Sequence, residues 1–150
     1  MLKNKGLNNV KQLDKQLKKI PRIEQPRMGW INSIRNLLNI SMEQLGSWLN
    51  LSGQGVYALE QREQEETITL KKLRQVADSM DMELIYNFVP RQSLQAFIEE
   101  KAWKKATDII KKSNQTMALE AQQVNQKNLR EQTKELAKEL AETISNTLWE

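Results

Sequence analysis

The 150-residue chain contains no cysteine and no histidine. The first absence removes disulfides and thiolate metal sites; the second removes the commonest general base and transition-metal ligand. Glycine and proline are scarce, at five and three, and aromatic residues make up 5%. So few breakers and so few aromatics favour long helices over a sheet-rich fold. There is no run of about 18 apolar residues, and no apolar segment of signal-peptide length after Lys3 and Lys5, so a soluble, cytoplasmic protein that avoids membranes is expected. Neither a nucleophile paired with a base nor a glycine-rich phosphate loop nor a metal cluster is visible. The chain is therefore read as a non-enzyme, with no cofactor, metal or small-molecule ligand.

What is present is charge, unevenly placed. Residues 1–30 carry 8 Lys/Arg against 2 Asp/Glu, residues 31–100 carry 6 against 10, and residues 101–150 carry 9 against 7. A basic leading segment suits a nucleic-acid-binding arm and a solvated lysine-rich tail equally well.

Apolar spacing divides the chain into three parts: a basic arm over 1–27, a helical bundle over 28–90 and a helical extension over 91–150. Val10, Leu13 and Leu17 predict a short helix over Asn8 to Lys19, and Pro21 and Pro26 predict an extended linker after it. Trp30, Ile31, Ile34, Leu37 and Leu38 follow helical spacing. Ser41-Met-Glu-Gln44 is a capping box, Leu45 and Leu49 face inward from the helix it starts, and Asn50-Leu51-Ser52 makes a tight turn into a second short helix with Val56 and Leu59 inward. Gly46 suits a close crossing there, and Asn50 tolerates left-handed backbone angles. After an acidic loop over Gln61 to Thr67, Thr69 caps a helix carrying Leu70, Leu73, Val76, Ala77 and Met80. Met82 to Val89 reads as one short β-strand, whose unpaired edge predicts pairing with a second copy. Helices are expected at about 93–112, 116–127 and 128–149. The last carries an apolar stripe through Leu129, Leu136, Leu140, Ile144 and Leu148 that must fold back on its own bundle, meet a second protomer or cover a partner. The expected class is all-α with that single strand.

The segment from Trp30 to Val89 resembles the Xre-type helix-turn-helix family of phage repressors. Over most of its length the chain is similar to the family called mobile mystery protein A. The residues carrying the closer likeness are Gly29-Trp-Ile-Asn-Ser-Ile-Arg35, Ile68-Thr-Leu-Lys-Lys-Leu73, Leu84-Ile-Tyr86, Val89-Pro-Arg91, Met117-Ala-Leu-Glu120 and Leu148-Trp-Glu150. The resemblance implies a homodimeric repressor of double-stranded DNA, paired as an antitoxin with a Fic-domain protein. A plain repressor without such a partner and a protein-binding adaptor are the alternatives.

Within that reading, the helix after Ser52 enters the major groove and Gln54 reads bases, while Ser41 and Ser52 lie near phosphates at two helix N-termini. Tyr57 meets a thymine methyl or a phosphate. Gly53 and Gly55 depart from the family's longer polar side chains, which suggests close backbone approach or readout of DNA shape. The resemblance also implies an internal ion pair between Arg35 and Glu60, with part of the guanidinium left facing phosphate. Arg62 is a phosphate contact or a solvated side chain. Lys11, Lys15, Lys18, Lys19, Arg22 and Arg27 follow the DNA backbone or extend along the minor groove as homeodomain arms do, or belong to a solubilising or docking segment. Thr116 and Glu120 match the spacing of the helix that inhibits Fic enzymes, with Ala121 where a Gly or Asn usually follows.

Overall fold

A computed structural model describes residues 5–119 and 126–150. The fold is all-α: seven α-helices and one 3-10 turn are found among the described residues, and no strand. Two compact units divide the chain. One is continuous, Arg22–Asn87, and the other is split across Met1–Pro21 and Phe88–Glu150. No helix among the described residues is long and apolar enough to cross a membrane.

The split unit begins with α1 (Lys5–Leu17) and continues with α6 (Leu94–Leu119), α7 (Gln126–Thr143) and a 3-10 turn over Asn146–Trp149. Ile98, Ala102, Ala141 and Leu148 form its buried core, with Val10, Leu140 and Ile144 packed against them. Small residues at 102, 106, 137 and 141 are buried on the facing helices, where they suit close helix packing. The junction of α1 with α6 is polar. Asp14, only 8% exposed, accepts from the backbone N–H groups of Leu94 (2.7 Å) and Gln95 (3.1 Å), while the Ser93 hydroxyl accepts from Ala96. These bonds satisfy N–H groups that a helix start leaves without a partner, and they place a negative charge at the positive end of α6.

These observations bear on three sequence expectations. Within the basic arm, α1 does not stand free: Val10 packs on the core formed by the C-terminal helices and Asp14 caps α6. The break expected between helices at 112 and 116 is absent, and α6 runs unbroken through Ser113, Asn114 and Gln115. None of these residues is Gly or Pro, and the propensity deficits of Ser and Asn are a few tenths of a kcal/mol, too small to end a packed helix. The stripe on α7 folds back on its own unit, the first of the three fates open to it.

The continuous unit holds α2 (Trp30–Leu37), α3 (Met42–Leu49), α4 (Gly53–Gln64) and α5 (Leu70–Ser79). Ile31, Leu45, Val56, Leu59 and Val76 form the core, flanked by Ile40, Met42, Leu49, Leu51, Ile68, Leu73 and Met80. Leu37 and Leu38, which follow the helical spacing begun at Trp30, are exposed. The inward face of α2 is instead Ile31 and Arg35, and left-handed Asn39 turns the chain away immediately after Leu38.

The segment 82–90 is neither helix nor strand, so the expected strand is not formed. A ladder needs a partner for its N–H and C=O groups, and none of the described residues supplies one. Nor do its side chains alternate: Ile85 and Tyr86 are consecutive and both exposed.

The joint between α3 and α4 is compact. Asn50 ends α3 at φ 56°, ψ 40°, its N–H donating to Gly46 O. A Cβ built on Gly46 lies 2.5 Å from Leu51 O, so the turn backbone itself excludes any side chain there. Because Asn adopts left-handed angles more readily than Ala, Asn50→Ala is expected to cost roughly 1 kcal/mol, whereas Asn50→Gly holds or raises stability. Urea midpoints of the two variants check this.

Candidate functional site

The candidate site is the exposed N-terminal end of α4 with the start of α3 beside it. Both helix starts are capped by serine. Ser41 Oγ accepts from Gln44 N (3.1 Å) while Gln44 Oε1 accepts from Ser41 N (2.8 Å), a complete capping box; Ser52 Oγ accepts from Gly55 N (3.1 Å). Val56 and Leu59 point inward from α4, whereas Gln54 and Tyr57 are exposed. The first turn of α4 thus offers a hydroxyl, an amide and a phenol to a ligand.

Two carboxylates one turn apart hold α4 against α2. Glu60, 1% exposed, binds Arg35 Nε through Oε1 at 2.7 Å and accepts from Asn32 Nδ2 through Oε2 at 2.9 Å. Arg35 Nη1 donates to Ile40 O at 3.0 Å, tying the same cluster to the corner before α3. With a side chain only 8% exposed, Arg35 offers little of its guanidinium to a phosphate, less than the resemblance implies.

Glu63 is the second carboxylate, and sequence reasoning missed it. It is 3% exposed, and its two oxygens accept from Trp30 N (2.7 Å) and Ile31 N (2.9 Å), capping α2 from a different helix. Gly29, the local N-cap residue, has φ +81° and no side chain, and a Cβ there would sit 2.8 Å from Glu63 Oε2. The expected loop over Gln61 to Thr67 concealed this role, since α4 continues to Gln64 and carries Glu63 inward. The available signal was helical spacing from Val56 through Leu59 and Glu60 to Glu63.

The two glycines of α4 also have internal reasons. A Cβ on Gly53 would meet Glu43 Oε1 at 2.8 Å, and one on Gly55 would meet Leu51 Cβ at 3.1 Å. Side chains already on the α3–α4 joint fill those spaces, an internal alternative to close approach by a ligand.

Ser41, Ser52, Gly53, Gln54, Gly55 and Tyr57 are brought together on this joint. Arg62 is exposed two turns along α4, and Arg22 and Arg27 are exposed at the start of the same unit. Lys11, Lys15, Lys18 and Lys19 are exposed but belong to the split unit. Charge divides along the same boundary: residues 22–87 hold 7 Lys/Arg against 9 Asp/Glu, and residues 1–21 with 88–150 hold 16 against 10. Thr116 is on α6, its hydroxyl donating to Lys112 O at 3.2 Å, while Glu120 lies outside the described residues. No group of acidic residues able to hold a metal ion occurs among the described residues. When the chain is compared with protein-family models, curated proteins and solved structures, none matches it.

Proposed function

We propose that this chain is a DNA-binding transcriptional regulator of the phage-repressor type that lays the first turn of α4 in the major groove, with Gln54 as its base-reading side chain. The observation that carries the reading is the exposed α4 start, capped by Ser52 and held at a fixed angle by Glu60 and Glu63. A glutamine amide pairs bidentately with adenine and discriminates against other bases by roughly 1–3 kcal/mol. The capped starts of α3 and α4 suit phosphate oxygens. A homodimer acting as an autorepressor, with a Fic-domain partner held by the tail, completes the proposal and rests on the family resemblance, since the α7 stripe is already covered within its own unit.

Selection from a random duplex library, followed by anisotropy titration against salt, tests the reading. Log affinity is expected to fall linearly with log salt, by about 0.9 per phosphate contacted. Gln54→Ala is expected to relax preference at one base position per half-site, while Arg62→Ala weakens all sequences alike. A folded protein that binds no duplex, or binds it with no salt dependence, overturns the reading in favour of a protein-binding adaptor. Sedimentation at micromolar concentration checks the dimer. A Fic-domain protein that neither binds the chain nor changes activity on mixing leaves a plain repressor.

A further inference from the structure

We infer that the split unit carries a second nucleic-acid surface, specific for single strands, in the groove where the lysine face of α6 meets Trp149. The groove has a volume of about 310 Å³ and is open to solvent; Phe97, Lys101, Lys104, Lys105 and Trp149 line it together with two acids, Asp108 and Glu150. Phe97 and Trp149 stack at 5.6 Å between centroids and 18° between planes, and Lys101 Nζ sits 5.5 Å from the Phe97 centroid. Both rings remain partly exposed, Trp149 at 49%, although Leu148 beside it is buried in the core.

Three physical features point to one ligand class. Helical spacing puts Lys101, Lys104, Lys105, Lys111 and Lys112 on one face of α6 with one acid of that helix, Asp108, among them, and Glu150 is the second acid at the groove, leaving the lysines in excess. From 101 to 112 this face runs roughly 16 Å at 1.5 Å per residue, long enough to track a chain of phosphates rather than one. The aromatic pair lies at one end of the row, and a cationic track beside an exposed ring is the arrangement that binds unpaired bases by stacking while lysines follow the backbone. An acidic peptide would use the lysines and leave the ring without a role; a duplex would hide the base faces that Trp149 can stack on. The excess positive charge of this unit, set against the acidic balance of the continuous unit, places the non-specific attraction for a polyanion here.

The test is anisotropy of a fluorescent oligo-dT with the full chain. Lys101→Glu, Lys104→Glu and Lys105→Glu together are expected to cut affinity at least tenfold and to lower the log–log salt slope by about 2, at ~0.7 per phosphate. Trp149→Leu, which keeps apolar contact with Phe97, is expected to cut affinity roughly five- to 150-fold, the range for one stacked base. All these side chains are at least partly exposed, and circular dichroism establishes that each variant is folded. Gln54→Ala is expected to leave oligo-dT binding unchanged, so this surface and the α4 reading fail separately. The inference is overturned if wild-type protein does not bind oligo-dT, if the lysine variant binds as well as wild type, if Trp149→Leu has no effect, or if poly-glutamate or a random duplex binds the same lysines as tightly.

Discussion

Replacing Arg35 by alanine is expected to destabilise the continuous unit by roughly 3–5 kcal/mol, the largest effect of any single substitution considered, because it strands a buried carboxylate. Glu60 is 1% exposed and would retain only the Asn32 amide, a neutral donor, at 2.9 Å. The same change frees Ile40 O, which accepts from Arg35 Nη1, so the corner between α2 and α3 loses its tie as well. Urea denaturation of the two single variants and the double variant measures the pair. Arg35→Ala with Glu60→Ala is expected to fall well short of the summed losses, with a coupling of about 1–3 kcal/mol, because the second substitution removes the charge that the first leaves unpaired. Strict additivity shows that the contact contributes nothing. Under the proposed function, Arg35→Ala is also expected to lose DNA binding even where it remains folded, since this cluster ties α4 to α2.

Glu63→Ala is expected to cost about 3 kcal/mol. It removes the acceptor of two backbone N–H groups at the start of α2, one of them fully buried, and hydrogen bonds to a charged group are worth about 1.5–3 kcal/mol each. No local group takes over, because Gly29 has no side chain and its φ of +81° disfavours adding one. Glu63→Gln keeps one acceptor oxygen and is expected to lose about half as much. Equal losses for Gln and Ala would mean that shape, not hydrogen bonding to the helix start, is what Glu63 supplies. Urea midpoints compare the pair of variants.

Local chemistry was legible in the sequence where a motif closes on itself within a few residues. Ser41 with Gln44, Ser52 as a cap and Asn50 in a left-handed turn are statements about neighbours, and spacing suffices to read them. Arg35 with Glu60 spans 25 residues and was legible only through resemblance. Glu63 with Trp30 and Asp14 with Leu94 span 33 and 80 residues, and each joins an ordinary acidic side chain to bare backbone, which leaves no pattern in residue type. The strand failed for a related reason. Leu84, Ile85, Tyr86 and Phe88 have the composition of a strand, but pairing depends on a neighbour that composition does not reveal. Trp149 entered the sequence reading only through the Leu148-Trp-Glu150 likeness, and its place beside the α6 lysines required the packing of Leu148 to be known.

Asp14 has a consequence for the order in which the chain matures. Leaving the ribosome, α1 emerges before the continuous unit but can bury Val10 and Asp14 only after α6 and α7 exist, across a separation of 80 residues. The continuous unit has no such wait, since the Glu63 and Glu60 bonds that fasten its first helix span 33 residues or fewer. Closure over short separations is faster than over long ones, so the later segment is set to fold first while α1 stands uncovered as a lysine-bearing amphipathic helix. Release of an arrested chain at residue 90 and at residue 150 would expose this as protease cutting within 5–17 in the first species and protection in the second.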